Sequence, residues 1–390
     1  MLPDTFANHL PVRIRFGAGV AHSLPDVIAA LGGTTVLVVT DAGIGGFNPA
    51  AADVVEALVG EPALTVTVFE KPGAEPTIEV VDAAYRAVVD SGADVIVALG
   101  GGSVIDTAKA ARLCAQRAMS FAEILAAPPH YPVPDRALVA VPTTAGTGSE
   151  VSGGAVVTDL AAGRKSGIAN PNLRADYAIV DPLLTHTMPP TMTANTGIDA
   201  IAQAIAATIA SVRTPIGDGI AFEAIRMMTP AVVAAFRNGA DADARAAMAC
   251  GSMMAGLAMN ISDCTAEHSL GQAIGSVVHV PHGLTIGLVL AETLERERAH
   301  VPAQLERVAD AMGEPDDGSG DGSRAVRAVR RLLADLDMPV LRSLGIGSSD
   351  VDRLADLALD DFFITVAPAP WSRAEVVHAF EAALSLEART

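Results

Sequence analysis

Hydrophobic and polar positions change their spacing near the middle of the chain. Between residues 34 and 181, short apolar runs rich in β-branched residues alternate with stretches of helical spacing. Strands that alternate with helices favour a parallel sheet covered by helices on both faces. The predicted strands cover 34–41, 63–70, 94–100, 136–144 and 177–181, and the predicted helices cover 50–60, 76–92 and 103–114.

From about residue 190 onward, nearly every segment has helical spacing and is rich in Ala, Met and Leu. The pattern therefore predicts an α/β domain with a parallel sheet at residues 1–185, followed by an all-α domain at residues 186–390. A length of 390 residues fits two domains, because single cores stop growing near about 250–300 residues.

The charge balance limits the possible partners. With 26 basic and 45 acidic residues the net charge is −19, which argues against nucleic acid, because binding to phosphates needs a basic face. Three cysteines without a paired spacing fit a reducing compartment. The N-terminal residues lack a signal-peptide pattern, and no apolar run is long enough to span a bilayer. We therefore expect a cytoplasmic protein with no membrane partner.

Two glycine-rich turns follow predicted strands. The first, GGGSVIDTAK at residues 100–109, fits neither the GxGxxG fingerprint nor the P-loop. The second, PTTAGTGSEVS at residues 142–152, offers hydroxyl groups and backbone N–H donors. A diphosphate needs donors from both sides and the start of a helix for its charge. The two turns together predict a dinucleotide-binding domain, whereas either alone could be an ordinary tight connection.

An acidic residue ends the predicted strand at 34–41. Asp41 at this position can accept a hydrogen bond from a ribose hydroxyl and repel a 2′-phosphate. Asp after a strand is often only a turn residue, but beside two phosphate-binding turns it favours NAD over NADP.

The helical half contains candidate metal ligands. Asp199 and Gln203 are four residues apart among apolar neighbours, so they share one buried helix face. A buried Asp is costly unless it is paired with a cation. His268, His279 and His282 follow on another segment, and facing helices can build a metal site from such residues. His279 could equally be an ordinary core histidine.

Four motifs carry a resemblance to a known family. GGGSVIDTAK, PTTAGTGSE, IVDPLLTHTMPPTMTANTGIDA and VPHG match, in order, the signatures of the iron-containing (group III) alcohol dehydrogenases. The resemblance covers most of the chain. It implies a dehydroquinate synthase-like architecture, a nicotinamide cofactor, and a divalent metal, Fe²⁺ or Zn²⁺. It also implies a homodimer or larger assembly and a small alcohol, aldehyde or oxo-acid as substrate.

The resemblance also assigns site residues. The positions that match the family's cofactor-binding residues are Asp41, Gly101, Gly102, Ser103, Asp106, Thr143, Thr144, Thr147, Lys165 and Leu184. The positions that match its metal ligands are Asp199, Gln203, His268 and His282.

The chain departs from the family pattern at two chemically important positions. Gln203 stands where the family has a third histidine ligand, and an amide oxygen is a poorer donor than imidazole. Gln272 stands where many members have a histidine assigned to proton relay. His279, three residues before His282, could take over that role. We therefore name His279 and Gln272 as the catalytic candidates.

Three functions remain compatible with these residues. The first is reversible hydride transfer between NAD and an alcohol–aldehyde or alcohol–ketone pair, with the metal acting as a Lewis acid. The second is a metal-independent oxo-acid reductase similar to maleylacetate reductases, which Asp199 opposes and Gln203 and Gln272 favour. The third is a non-catalytic NAD-binding protein.

Overall fold

The chain folds into two compact units. The computed structural model describes residue 6, residues 8–10, 12–161 and 164–386, the side chain of residue 164 excepted. Leu10–Met188 form an α/β unit, and the chain from Pro189 onward forms a helical unit. The division thus falls three residues after the predicted boundary at 185. An α/β fold followed by a helical part confirms the predicted fold class.

The α/β unit is built on a six-stranded sheet in which every paired strand is parallel. Its order is β1-β8-β5-β4-β2-β3, and β6 and β7 form a separate antiparallel hairpin. The strands are Arg13–Phe16 (β1), Thr35–Asp41 (β2), Thr65–Lys71 (β3), Val95–Gly100 (β4), Ala137–Pro142 (β5), Gly154–Asp159 (β6), Arg164–Ala169 (β7) and Tyr177–Val180 (β8).

Fourteen helices are described, five in the α/β unit and nine in the helical unit. They are Leu24–Ala30 (α1), Pro49–Val59 (α2), Ile78–Ser91 (α3), Gly102–Arg117 (α4), Phe121–Ala126 (α5), Pro190–Ile209 (α6), Pro215–Arg237 (α7), Ala242–Ser262 (α8), Ala266–Val277 (α9), His282–Glu297 (α10), Pro302–Ala311 (α11), Ser323–Asp335 (α12), Val351–Leu359 (α13) and Arg373–Ser385 (α14).

The sheet places three predicted features at one edge. Strands β2, β4 and β5 are neighbours and parallel, so their carboxyl ends, at Asp41, Gly100 and Pro142, lie together. The chain runs outward from β2 to β3 and then returns to the other side of β2 with β4. Ligands of open α/β sheets bind at such a switch point, outside the carboxyl ends of the strands.

All five strands predicted from apolar runs are confirmed, with ends shifted by a few residues. Apolar runs predict these strands because central strands are buried on both faces. Every residue of β4, for example, is buried. The hydrophobic pattern missed β1 and the β6–β7 hairpin. Strand β1 lies at the sheet edge and has no fully buried residue, and β6 mixes buried with exposed positions. Neither therefore has a continuous apolar run.

Helix α6 forms the centre of the helical unit. It contacts α7, α8 and α10, and fifteen of its twenty residues are buried. A helix covered on nearly every side needs small, apolar residues around its whole circumference, which the run of alanines and isoleucines between 198 and 209 supplies. The polar residues Asp199 and Gln203 of this helix are therefore held away from water.

One helix passes a length and composition test for membrane spans. Among the described residues, α7 is long and apolar enough to cross a bilayer by that test alone, although Glu223 and Arg226 interrupt its apolar run. Its buried residues recur every three or four positions, from Gly217 to Ala235, and it packs against α6 and α8. That spacing is typical of a helix that buries one face against its neighbours.

Candidate functional site

The first glycine-rich turn joins β4 to α4. Gly101 precedes α4 in an extended conformation, and no side chain caps this end of the helix. A Cβ atom on Gly100 would lie 2.5 Å from Val104 Cγ2, so only glycine lets the helix begin this close to the strand. An uncapped helix start offers backbone N–H groups and a positive dipole to an anion.

The second glycine-rich turn lies against the first. Thr143 N donates to Gly100 O at 3.0 Å. A Cβ atom on Gly102 would lie 2.7 Å from Thr147 Oγ1, and one on Gly101 would lie 3.4 Å from Thr144 Cγ2. The structure therefore brings together six predicted cofactor residues: Gly101, Gly102, Ser103, Thr143, Thr144 and Thr147.

An ion pair between the partly exposed Asp106 and the buried Lys109 of α4 holds the second turn in place. Lys109 Nζ lies 3.9 Å from Asp106 Oδ1 and donates to Ser149 Oγ at 2.9 Å and to Gly154 O at 2.8 Å. Asp106 Oδ1 accepts from Ser149 Oγ at 2.6 Å, and Oδ2 accepts from Val156 N at 2.9 Å. Burial lowers the pKa of Lys109 to about 8 despite the nearby carboxylate.

Asp106 has partners inside the protein. Both of its carboxylate oxygens accept hydrogen bonds from the protein itself, so the residue helps to fix the second turn, and its contact with a cofactor stays a prediction. In the sequence, Asp106 and Lys109 are three residues apart and therefore share one helix face. Lys109 was not among the predicted site residues, because a single lysine inside a helical run has no distinctive pattern.

Asp41 ends β2 beside a buried lysine. Lys71 Nζ lies 3.2 Å from Asp41 Oδ1 and donates to Gly73 O at 2.5 Å and Ala74 O at 3.3 Å. The Lys71 side chain is fully buried, while the Asp41 side chain is 26% exposed. The lysine thus fixes the Asp41 carboxylate while leaving part of it accessible at the carboxyl edge of the sheet.

The two remaining cofactor candidates, Lys165 and Leu184, do not lie in the glycine-rich turns. Lys165 lies on β7, is largely exposed and pairs with Glu75 at 3.4 Å. The side chain of Leu184 is buried in the core of the α/β unit, and its carbonyl accepts from Asn48 Nδ2 at 2.8 Å. No contact described here joins either residue to the two glycine-rich turns, so their roles stay predictions.

The helical unit gathers Asp199 with two of the predicted histidines. His268 Nε2 lies 3.6 Å from Asp199 Oδ1, and His282 Nε2 lies 3.8 Å from the same oxygen. One potential ligand atom from each residue lies within 4.8 Å of the others. Burial raises the pKa of Asp199, but the two imidazoles outweigh that effect and hold its pKa below the usual value.

Two buried oxygens at this cluster lack hydrogen bonds. Asp199 Oδ1 and Gln203 Oε1 are both buried and accept no hydrogen bond. An unsatisfied buried acceptor costs roughly 1–3 kcal/mol, which a bound cation would offset. The orphaned oxygens and the two imidazoles therefore fit a divalent metal, for which Gln203 would be the fourth ligand. We refer to Asp199, Gln203, His268 and His282 as the metal cluster.

A glycine brings His282 to the cluster. A Cβ atom on Gly283 would lie 1.9 Å from Asn195 O and 3.0 Å from Asp199 Cβ. Only glycine allows the start of α10 to approach α6 this closely, and His282 is the first residue of α10. The sequence motif VPHG contains this glycine. The need for glycine is visible only in the structure, because it arises from the contact between α10 and the distant helix α6.

The two catalytic candidates lie apart from these contacts. Gln272 is half-buried on α9, and His279 is exposed in the connection between α9 and α10. No hydrogen bond found among the described residues joins either side chain to the metal cluster. Their catalytic roles stay predictions.

An aromatic residue missed by the sequence motifs lies against the cluster. The ring centroid of Phe363 is 5.8 Å from that of His268, in an edge-to-face arrangement, and Phe362 packs on Phe363 at 5.9 Å. Ser269 Oγ donates to Asp361 Oδ1 at 2.6 Å and accepts from Ile364 N at 2.8 Å. These bonds tie the segment to α9, and no spacing in the sequence could have shown that.

Comparison with known proteins identifies the class. Over residues 11–182 the chain matches the model of the iron-containing alcohol dehydrogenases, and over residues 193–384 it matches the C-terminal model of that family. The fold and these matches define an oxidoreductase of dehydroquinate synthase-like architecture. The chain belongs to the iron-containing alcohol dehydrogenase family.

Individual relatives agree with the family match. The chain is similar to choline dehydrogenase of Bacillus subtilis (strain 168), with 33% identity over 90% of this chain and 88% of that protein. The crystal structure of a 1,3-propanediol oxidoreductase matches with a TM-score of 0.91 and 29% identity, covering 97% of this chain and all of that one. The structure of a sulfoacetaldehyde reductase from Bifidobacterium kashiwanohense in complex with NAD⁺ also matches, with a TM-score of 0.90 and 26% identity. The match covers 99% of this chain and 100% of that one.

Family membership settles the general activity. The chain is an oxidoreductase of a family whose members interconvert alcohols with aldehydes or ketones and use NAD and a divalent metal.

The contact between the two glycine-rich turns yields a first prediction. Gly102→Ala places a methyl group against Thr147, and overpacking of this kind costs about 1–3 kcal/mol. To relieve this contact the turn must shift and move its donors away from the phosphate. Loss of one hydrogen bond to a charged group costs roughly 1.5–3 kcal/mol, so we expect the dissociation constant for NADH to rise at least about tenfold in a fluorescence titration.

Gly219→Ala, on α7, is the matched control, because its added Cβ atom would meet nothing within 4 Å. It should bind NADH as the unmodified chain does. Equal affinities for the two variants would contradict a cofactor role for this contact.

Proposed function

We propose that this chain transfers hydride between NAD and an alcohol–carbonyl pair at a divalent metal held by the metal cluster. In the oxidative direction, an alcohol and NAD⁺ give an aldehyde or ketone, NADH and one proton. The observation that carries the proposal is the pair of buried oxygens, Asp199 Oδ1 and Gln203 Oε1, that lack hydrogen bonds beside two imidazoles.

The donor set suits Fe²⁺ or Zn²⁺. Imidazole and carboxylate ligands are common to both ions, and the amide oxygen of Gln203 adds a neutral donor. When bound, such a cation acts as a Lewis acid that favours loss of the proton from the substrate hydroxyl. Asp199 supplies the negative charge of the cluster, and the Phe363 ring beside His268 supplies an apolar surface that limits the access of water.

The α/β unit binds the cofactor. In this proposal the pyrophosphate lies at the two glycine-rich turns, where the first turn of α4 offers N–H groups and the threonines offer hydroxyls. Asp41 accepts from the adenosine ribose and disfavours a 2′-phosphate, which agrees with the use of NAD. Lys165 and Leu184 remain proposed cofactor contacts on the family resemblance alone.

The substrate proton needs an acceptor. His279 is exposed three residues before His282, so its imidazole can exchange protons with solvent, and we assign it the relay role. Gln272 has no titratable group, so it can only orient a substrate or a water molecule through its amide.

Metal content tests the proposal directly. Protein purified without chelators should contain about one iron or zinc per chain by elemental mass spectrometry. His268→Ala and His282→Ala should lose the metal and abolish turnover, while NADH binding stays nearly unchanged. His378→Ala, at an exposed position on α14, should keep both metal and activity.

Protein that binds NADH but holds no metal would contradict the proposal. Gln203 would then mark a lost metal site, and reduction of oxo-acids without a metal would become the function to test. Turnover that survived either histidine substitution would contradict the role of the metal cluster.

We also propose that the enzyme is a homodimer that pairs at strand β1. This strand is at the edge of the sheet, and Ile14 and Phe16 on one of its faces are 38% and 42% exposed. An exposed apolar edge strand is a template for pairing with another strand, and a second copy of this chain presents the same edge.

Sedimentation tests the dimer. The unmodified chain should sediment with about twice its mass of 39.7 kDa, and the double variant Ile14→Glu/Phe16→Glu should sediment as a monomer, because like charges would face each other. Val133→Glu, at a site that is 77% exposed, should remain a dimer. A monomeric unmodified chain would refute the proposal.

We propose a cytoplasmic location, supported by the free thiols of Cys114, Cys250 and Cys264, since such thiols persist in reducing compartments. Fractionation of the source cells should recover the chain with other cytoplasmic enzymes, and recovery with the membranes would contradict it.

A further inference from the structure

A buried glutamate contacts the non-ligating side of His268. Glu267 is the second residue of α9 and is 1% exposed. Its carboxylate folds back onto the residue before the helix: Oε1 accepts from Thr265 N at 3.1 Å, and Oε2 accepts from Thr265 Oγ1. These bonds and the rigid start of the helix fix the carboxylate in one orientation.

The same carboxylate determines which nitrogen of His268 can bind a metal. His268 Nδ1 lies 2.8 Å from Glu267 Oε1. Both oxygens of this carboxylate accept from Thr265, which holds it in place beside Nδ1. With Nδ1 engaged by Glu267, Nε2 is the ring nitrogen left to bind a metal, and it faces Asp199 at 3.6 Å.

The buried thiol of Cys264 lies close to the same ring. Its sulfur, a Glu267 oxygen and a His268 nitrogen lie within 4.8 Å of one another. A thiol is a weak hydrogen-bonding group compared with a carboxylate, so Glu267 is the stronger influence on the orientation of the imidazole.

We propose that Glu267 is a positioning residue that acts through His268 and compensates for Gln203. By accepting a hydrogen bond from Nδ1, Glu267 holds Nε2 toward Asp199 and makes Nε2 a stronger metal ligand. Carboxylate partners of this kind raise the basicity of histidine ligands. A stronger imidazole offsets the weaker amide oxygen at position 203. The inference rests on the proposed metal cluster.

A structural role for Glu267 predicts a different result. An acidic residue in the first turn of a helix stabilises that helix through its dipole, and loss of that effect would lower the unfolding temperature of the metal-free protein. A positioning role instead changes the affinity for the metal. Measurements of both quantities on the same variants separate the two explanations.

The main test compares Glu267→Gln with the unmodified chain. Each protein is stripped with a chelator, and its Zn²⁺ dissociation constant is measured by competition with a fluorescent chelator. Loss of such a partner typically weakens metal binding about 10–100-fold, so we expect Glu267→Gln to fall in that range. The unfolding temperature of the metal-free variant should change little.

Glu292→Gln is the matched control. Glu292 is also a buried glutamate of the helical unit, and it pairs with Arg330 at 2.9 Å instead of with a histidine. It should bind Zn²⁺ as the unmodified chain does. An unchanged affinity in Glu267→Gln, or an equal loss in both variants, would overturn the proposal.

A double-mutant cycle tests the compensation. Gln203→His restores a third imidazole, so the cluster should depend less on the strength of His268. We expect Glu267→Gln to cost several-fold less Zn²⁺ affinity in the Gln203→His background than in the natural one. Equal costs would mean that Glu267 does not compensate for Gln203.

Failure of the proposed function would be recognisable separately. If the unmodified chain binds Zn²⁺ but turns over no alcohol or aldehyde, the proposed function is wrong, while the ratio of affinities still decides the role of Glu267. If the chain binds no Zn²⁺ at all, both proposals are wrong.

Discussion

A physical constraint on the helical unit comes from two buried oxygens that accept no hydrogen bond. Asp199 Oδ1 and Gln203 Oε1 lie on the central helix α6, where neighbouring helices exclude water. Polar groups in such a place destabilise a fold unless a partner satisfies them. The imidazoles of His268 and His282 lie beside the same Asp199 oxygen, so this unfavourable feature of the core coincides with the residues proposed to hold a divalent cation.

In the α/β unit, charged residues inside the protein support the two glycine-rich turns. Its two glycine-rich turns must keep backbone donors exposed and still hold their shape. The Asp106–Lys109 pair on α4 fixes the second turn from inside the protein, and the glycines allow the two turns to touch. The Asp106–Lys109 pair makes the second turn rigid, and the outer side of both turns stays available for the proposed phosphate.

The sequence predicted the regular parts of the fold better than its edges. Strands such as β4 were predictable because burial on both faces requires an unbroken apolar run. The edge strand β1 and the β6–β7 hairpin have no such requirement. Among the site residues, Asp199 and Gln203 were paired by helical spacing alone. Lys71, Glu267 and Phe363 were missed, because their roles arise from contacts that no local pattern encodes.

The sequence by itself determined the alternation of strands and helices, the two glycine-rich turns and the face shared by Asp199 and Gln203. These features depend on periodicity and on residues near each other in the chain. Only the tertiary structure decided how closely His268 and His282 approach Asp199, that both oxygens of Asp106 are bonded within the protein, and that Glu267 contacts His268 Nδ1. The physical reason is that such contacts join segments tens of residues apart or depend on side-chain direction, which packing of the whole core determines.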